Sequence, residues 1–203
     1  MSLLHEMVIS DLLQRLLALF LLLILSPLLL AISLIIYLHF GVPVLFLQQR
    51  PGLHGRPFLL VKFRTMTQTR DAQGALHPDR DRLTPLGKWL RRSSVDELPE
   101  LFNILRGEMA FVGPRPLFME YLPLYTSDQA RRHNVRPGLT GWAQVQGRNA
   151  LSWEEKFRLD AWYVDHRNVI LDLRILWLTL ATVLERKGIS SVGEATVAPF
   201  TGS

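Results

Sequence analysis

The longest apolar run of the chain lies near its N-terminus, between about Leu12 and Leu38. Almost every residue there is Leu, Ile, Ala or Phe, and roughly 20 such residues suffice to cross a bilayer. The run is longer than the apolar region of a signal peptide, which has about 7–15 residues. We therefore expect it to stay attached and to hold the protein at a membrane.

Ser26 and Pro27 lie near the midpoint of this run. Proline removes one backbone hydrogen bond and kinks or breaks a helix, and a serine hydroxyl can satisfy the freed carbonyl. Two topologies follow: one kinked transmembrane helix, or a re-entrant helix that enters and leaves by the same face. The residues alone favour the plain span, because proline is well tolerated in membrane helices. The basic residues after the run predict a cytoplasmic body in both cases.

The rest of the chain has the pattern of a domain with short strands and amphipathic helices. Val42 to Leu47 and Phe58 to Phe63 resemble strands separated by a turn rich in Pro and Gly, which predicts a hairpin or an extended pair. Apolar residues from Leu98 to Leu105 recur at helical spacing up to Arg106-Gly107, and Trp153 to Val164 have helical spacing as well.

The C-terminal apolar stretch, Val169 to Leu184, contains Asp172 and Arg174. It is too short and too charged for a span, so we expect an amphipathic helix on the membrane surface. Four aromatic residues fit either an interfacial belt or the core: Trp153, Trp162, Tyr163 and Trp177. From Gly188 onward the small, polar sequence predicts a loosely held tail.

The amino-acid composition excludes several kinds of catalytic and metal-binding site. The 203 residues contain no cysteine, which excludes disulfides, thiolate catalysis and Cys-based zinc sites. The six histidines lack metal-binding spacing, and neither a phosphate-binding P-loop nor GxGxxG is found. The net charge of +5 fits an acidic partner such as a diphosphate or anionic lipid, but no nucleic-acid-binding module is recognisable. We therefore expect no nucleic acid partner.

The acidic pair Asp96-Glu97 follows Ser93-Ser94 at the start of a predicted helix. Ser94 and Glu97 match a capping box, which would explain the pair without any catalysis. Alternatively, a carboxylate can bind Mg²⁺ or attack phosphorus to form an acyl phosphate. Neighbouring helical positions point about 100° apart, so the two carboxylates would have different roles. Arginines that match phosphate geometry surround the pair in the sequence: Arg91, Arg92, Arg115, Arg136 and Arg148.

Five motifs follow one another along the chain and together extend over nearly the whole of it. They are Leu25-Ser26-Pro27, Val61-Lys62-Phe63-Arg64-Thr65-Met66, Asp96-Glu97-Leu98-Pro99-Glu100-Leu101-Phe102-Asn103, Phe111-Val112-Gly113-Pro114-Arg115-Pro116, and Arg136-Pro137-Gly138-Leu139-Thr140-Gly141-Trp142-Ala143-Gln144-Val145, continued by Gly147-Arg148-Asn149. In this order they resemble the motifs of the small monotopic phosphoglycosyl transferases, in the bacterial sugar transferase family.

The resemblance implies an α/β, mainly helical fold with short strands and interfacial amphipathic helices. Ser26 and Pro27 would break a re-entrant helix, overturning the preference for a plain span. Residues 1–40 would form the membrane anchor, 41–187 the catalytic domain and 188–203 a C-terminal tail. The protein would be monotopic at the cytoplasmic face of the bacterial inner membrane, in contact with membrane lipid, and the resemblance also allows a homo-oligomer.

The resemblance also implies a reaction and its residues. Asp96 would attack the sugar-side phosphorus of a UDP-sugar, release UMP and pass the sugar phosphate to undecaprenyl phosphate. Glu97 would position Mg²⁺ with Asp96 or act as a base. Phosphates would be held by Lys62, Arg91 and Arg115, with Arg148 and Asp160 as further members of the site.

The chain departs from the usual family pattern at a few positions. Ser10, Asp11 and Gln14 stand where the family has Lys-Arg and a following Asp. Gln146, Glu108 and Ala110 replace the usual Asn, Asp and Ser. The altered N-terminus, together with the capping box, motivates one alternative: a membrane-anchored sugar-nucleotide-binding or scaffold protein without turnover.

Overall fold

The structure is a computed structural model that describes residues 2–147, 150–185 and 199–202. Within these residues the fold is mainly helical with short strands, as expected, and the strands form two small sheets. The helices are α1 (Ser2–Phe40), α2 (Asp79–Arg82), α3 (Pro85–Arg92), α4 (Leu101–Arg106), α5 (Ser127–Ala130), α6 (Trp142–Gln146), α7 (Trp153–His166) and α8 (Val169–Glu185). The strands are β1 (Leu45–Pro51), β2 (Pro57–Phe63), β3 (Ala110–Val112) and β4 (Gly138–Thr140), and 3₁₀ helices occupy Leu53–Gly55, Val95–Glu100, Met119–Leu124 and Arg131–Asn134.

Helix α1 contains the predicted membrane segment and is continuous from Ser2 to Phe40. Its stretch Asp11–Phe40 is long and apolar enough to cross a membrane. The Ser26 hydroxyl donates to the Leu23 carbonyl at 2.7 Å, which is the acceptor that the missing Pro27 amide leaves free. The serine therefore compensates for the proline as expected, and the break implied at Ser26-Pro27 takes no residue out of the helix.

One face of α1 packs against the rest of the protein along most of its length. Ala18 and Leu22 lie in the main core with Ile104 of α4, and Ile36 packs with Phe63 of β2. The opposite face leaves large apolar side chains exposed, including Leu13, Leu23, Leu30 and Leu38. This face has the composition of a lipid-contacting surface.

Polar contacts fix both ends of the apolar part of α1. Near the N-terminal end, the Asp11 carboxylate pairs with Arg136 and the Gln14 side-chain oxygen accepts from the Phe111 amide at 3.0 Å. At the other end, Arg64 donates to the Phe40 carbonyl at 3.3 Å. Asp11 and Gln14, which depart from the family pattern, thus bind the protein's own body.

Strands β1 and β2 form the predicted antiparallel hairpin, in register from Leu45↔Phe63 to Pro51↔Pro57. The first strand begins and ends a few residues later than its composition indicated. Asn103 of α4 is fully buried and accepts from the Val61 amide at 3.0 Å while donating to the Leu59 carbonyl at 2.7 Å. It fixes α4 against β2, which carries Lys62.

The parallel pair β3 and β4 was not predicted, because its strands have only three residues each and lie far apart in sequence. The backbones approach so closely that a Cβ on Gly138 would lie 2.1 Å from the Gly113 amide nitrogen. Only glycine fits there. This contact places the turn that carries Arg115 beside the Arg136-Pro137 turn.

The C-terminal helices agree with the sequence pattern, since both α7 and α8 form where expected. Of the four aromatic residues considered for a belt, Tyr163 is buried, whereas Trp162 and Trp177 are exposed. In the predicted loose tail, residues 188–198 lie outside the described residues. Phe200 is buried against Tyr121 and Phe157, contrary to that prediction, because an aromatic cluster offers it an apolar contact.

Candidate active site

The 3₁₀ helix Val95–Glu100 carries three carboxylates: Asp96, Glu97 and Glu100. A 3₁₀ helix has three residues per turn, so Glu97 and Glu100 lie on one side and Asp96 on another. Ser94 adopts a left-handed conformation with φ 56° and its side chain makes no cap hydrogen bond. The capping-box explanation of Ser94 and Glu97 is therefore wrong, because Glu97 contacts cations instead.

Lys62 and Arg115 hold the Glu97 carboxylate. The Lys62 ammonium lies 2.6 Å from Glu97 Oε1 and 3.0 Å from Glu100 Oε1. Arg115 Nη2 contacts the same Oε1 of Glu97, while its Nη1 lies 3.5 Å from Oε2. Glu97 Oε1 therefore has two close cationic partners, and Oε2 has one long contact.

Asp96 has a different environment, although it is the adjacent residue. Its side chain is buried, and within the described part of the chain it makes no hydrogen bond or ion pair. Arg91 is near enough for its charge to interact with Asp96, and Arg91 Nε donates to Thr65 Oγ1 at 3.1 Å. Helix α3 carries Arg91 to this position because its Gly87 packs directly on the Thr65 carbonyl. A Cβ at position 87 would lie only 1.9 Å from that carbonyl oxygen.

The pKa values of the three carboxyls follow from these surroundings. Burial, and then the charge of Glu97, raises the pKa of Asp96 to about 6. Burial opposes ionisation of Glu97 as well, but Arg115 and Lys62 outweigh it and hold its pKa well below the usual range. Burial raises the pKa of Glu100 to about 7, with Lys62 opposing the shift. Neighbouring carboxyls with pKa values pushed apart indicate separate acid–base roles.

The residues at this site fit a magnesium ion. Within the described residues no group of three or more His, Cys, Asp or Glu side chains forms a complete metal cage. Mg²⁺, however, is commonly bound by only one or two carboxylates together with water and substrate phosphates. The Asp96 carboxylate and the weakly engaged Oε2 of Glu97 are available as such ligands.

The other predicted site residues are placed differently. Asp160 is buried away from the carboxylate group in an ion pair with Arg132, and it reaches the site only indirectly, because Arg132 also donates to the Arg115 carbonyl. Arg148 lies outside the described residues. The structure thus brings Asp96, Glu97, Lys62, Arg91 and Arg115 close together, and their roles in the site stay predictions.

Two residues of this region were not singled out from the sequence. Glu100 follows Glu97 by three residues, so the two lie on one side of either kind of helix, but its contact with Lys62 depends on the packing of strand β2 against this helix. Arg132 has no local signal, since its partner Asp160 is 28 positions away. Only the folded chain brings the two together.

Comparison with known proteins gives consistent matches. The sequence model of the family described as "Bacterial sugar transferase" matches residues 5–186. The "Uncharacterized sugar transferase EpsL" of Bacillus subtilis is 54% identical over 97% of this chain and 98% of its own length. The "Undecaprenyl-phosphate glucose phosphotransferase" of Komagataeibacter xylinus is 42% identical over 79% of this chain, and the "UDP-glucose:undecaprenyl-phosphate glucose-1-phosphate transferase" of Xanthomonas campestris is 40% identical over 86%.

The matches differ in how much of each relative they include. The aligned regions are 33% and 38% of the two longer relatives, whereas the Bacillus protein is matched almost completely. The family match itself extends over most of this chain. This chain belongs to the bacterial sugar transferase family.

Proposed function

We propose that the protein is a phosphoglycosyl transferase that moves a sugar 1-phosphate from a UDP-sugar to undecaprenyl phosphate and so initiates glycoconjugate assembly. The observation that carries the proposal is the asymmetric pair at the 3₁₀ helix. Asp96 is buried and makes no hydrogen bond to any residue that the structure describes, whereas Glu97 is held by Lys62 and Arg115. A free carboxylate beside clustered cations suits nucleophilic attack on a phosphate. The names of the two longer relatives support undecaprenyl phosphate as acceptor.

The reaction proceeds in two displacements. An Asp96 carboxylate oxygen attacks the sugar-side phosphorus, and the bond from that phosphorus to the bridging oxygen breaks, so UMP leaves with the bridging oxygen. A phosphosugar ester now occupies Asp96. A phosphate oxygen of undecaprenyl phosphate then attacks the same phosphorus and the bond to Asp96 breaks, which restores the carboxylate. Covalent catalysis of this kind divides one difficult transfer into two easier ones.

The surrounding cations serve the diphosphate. Lys62, Arg91 and Arg115 bind its oxygens, and the planar guanidinium groups match phosphate geometry. Glu97 keeps Lys62 and Arg115 in place before the donor arrives. Bound Mg²⁺, held by Asp96 and Glu97, would supply further positive charge that offsets the charge of the diphosphate.

We also propose that α1 follows a re-entrant path, so that the protein is monotopic on the cytoplasmic face of the inner membrane. Asp11 pairs with Arg136, and Arg64 binds the Phe40 carbonyl, so both ends of the apolar segment contact the same body. A plain span across about 30 Å of hydrocarbon would separate those ends. The exposed apolar face of α8, including Ile170 and Trp177, lies in the membrane interface.

The test is UMP release from a panel of UDP-sugars by the detergent-solubilised protein with undecaprenyl phosphate, with and without Mg²⁺. We expect one donor to give Mg²⁺-dependent release that Asp96→Asn abolishes. The matched control is Asp81→Asn, an exposed aspartate outside the site, which should retain wild-type rates. Equal release by wild type and Asp96→Asn would contradict the covalent mechanism.

The alternative of a binding or scaffold protein makes a distinct prediction. It requires sugar-nucleotide binding, measured by calorimetry, without UMP formation from any donor. Trapping of radiolabelled sugar phosphate on the wild-type protein, and its absence from Asp96→Asn, would exclude that alternative.

A further inference from the structure

Arg132 is a buried arginine that belongs to none of the motifs used above. It lies in the 3₁₀ helix Arg131–Asn134 and is only 3% exposed. Its Nε and Nη2 donate to Asp160 Oδ2 of α7 at 3.1 and 2.7 Å. A buried charge needs such a partner, since an unpaired guanidinium would be strongly destabilising.

The same guanidinium also reaches the active site. Arg132 Nη2 donates to the backbone carbonyl of Arg115 at 2.8 Å, and Nη1 donates to the Tyr125 hydroxyl at 3.2 Å. The rings of Tyr125 and Phe157 lie 5.8 and 5.5 Å from its central carbon. Three separate acceptors and two aromatic rings therefore fix the orientation of one side chain.

Arg115 depends on its backbone for its position. Its side chain is 44% exposed, and its hydrogen bonds from the side chain run to Glu97. A half-exposed arginine side chain can adopt many rotamers. The backbone conformation at Arg115 therefore decides whether its guanidinium reaches Glu97. Arg132 holds the carbonyl of this residue from the buried side.

We propose that Arg132 is a positioning residue, which uses the buried Asp160 ion pair to fix the backbone of Arg115 and thereby aims the Arg115 guanidinium at Glu97 and at the donor diphosphate. The part of this role that concerns the donor rests on the proposed function. The structural part, the fixing of the 113–116 turn, does not.

The substitution Arg132→Lys tests the hydrogen-bonding geometry of the guanidinium while keeping the positive charge. A lysine ammonium is a point charge on a flexible stem and cannot reproduce the guanidinium's simultaneous contacts with Asp160, Tyr125 and the Arg115 carbonyl. The neighbouring residue provides a matched control. Arg131 also pairs with a carboxylate of α7, Asp165, but on the surface and without a hydrogen bond to Arg115.

The first measurement is amide hydrogen exchange in segment 111–118 of the full chain without substrate. Its reporter is the Gly113 amide, which donates to the Thr140 carbonyl at 2.9 Å. Arg132→Lys should accelerate this exchange about tenfold, the effect of losing a hydrogen bond from a charged donor, while Arg131→Lys leaves it unchanged. No acceleration, or an equal acceleration throughout the chain, would overturn the proposal. Should Arg132→Lys not fold, Tyr125→Phe replaces it, with about threefold faster local exchange expected because one neutral hydrogen bond is lost.

The second measurement is a double-mutant cycle on UMP release. Arg132→Lys alone should lower kcat/KM about tenfold, but should have no further effect in an Arg115→Ala background. An undiminished effect in that background would mean that Arg132 acts by some other route. If the wild type releases no UMP from any donor, the proposed function fails, and the exchange experiment alone decides the positioning role.

Discussion

Replacing Asp96 by asparagine is expected to stabilise the substrate-free protein at neutral pH, although it abolishes the proposed reaction. The pKa of Asp96 is about 6 in the folded protein against an ordinary 3.8. Ionising this carboxyl therefore costs the folded state about 3 kcal/mol more than the unfolded chain. Asparagine does not ionise and avoids that cost. For a chain of this size we expect the unfolding midpoint to rise by about 6–12 °C.

The sign of the effect depends on pH. Below about pH 3.8 Asp96 keeps its proton in both the folded and the unfolded chain, so the ionisation cost is absent. Between about pH 3.8 and 6 the unfolded chain ionises first, and the folded protein loses stability until the full cost is reached. The advantage of Asp96→Asn should therefore be full at about pH 7.5 and nearly absent at about pH 4. Added Mg²⁺ should reduce it at neutral pH, because the cation stabilises the ionised Asp96 of the wild type.

Glu97→Gln should have the opposite effect, which makes the two adjacent residues controls for each other. The pKa of Glu97 is held low by Arg115 and Lys62 despite its burial, so its ionised form stabilises the fold above its ordinary pKa and that contribution is lost in acid. Thermal unfolding of both variants, in chelator and at the two pH values, is the assay. Destabilisation by Asp96→Asn at neutral pH, or an equal gain at both pH values, would refute the reasoning.

Three further substitutions test the packing around the site, each by unfolding at neutral pH. Lys62→Met should destabilise the protein by about 3 kcal/mol, because Glu97 and Glu100 lose their shared cation; unchanged stability would contradict the role of this ion pair. Asn103→Leu should cost about 3 kcal/mol, since the Val61 amide and the Leu59 carbonyl lose their hydrogen-bond partner. Phe200→Ala should cost about 3 kcal/mol and alter tryptophan fluorescence, since its ring contacts the Trp153 indole.

The elements defined by local pattern were predictable from the sequence. The hairpin β1–β2, the helix that ends at Arg106-Gly107, and helices α7 and α8 all form where periodicity and turn residues indicated. The Gly107 conformation, with φ 76°, explains the helix end, because a left-handed cap favours glycine. Such features depend on neighbours in sequence, so they can be read without the fold.

The features that could not be predicted from the sequence depend mostly on contacts between segments that are distant in the chain. An α-helical start was expected around Asp96 and Glu97, but Pro99 lies inside a 3₁₀ helix that begins at Val95. The parallel strands β3 and β4, the Arg132 contacts and the burial of Phe200 likewise join residues tens of positions apart. Within the site, residue type and position in the sequence indicated the acidic pair and a set of candidate arginines that includes Arg115, whereas Lys62 came only from the resemblance.

The charge balance of the site explains why a metal ion would be needed for the proposed donor. Three carboxylates, Asp96, Glu97 and Glu100, stand close to Lys62 and Arg115, with Arg91 nearby. Negative and positive groups thus nearly cancel before any substrate binds, and burial together with the charge of Glu97 already raises the pKa of Asp96. A diphosphate entering alone would add negative charge beside Asp96 and would oppose the ionisation that nucleophilic attack requires. We propose that a divalent cation entering with the diphosphate offsets that charge, which gives an electrostatic reason for Mg²⁺ in addition to its binding of phosphate.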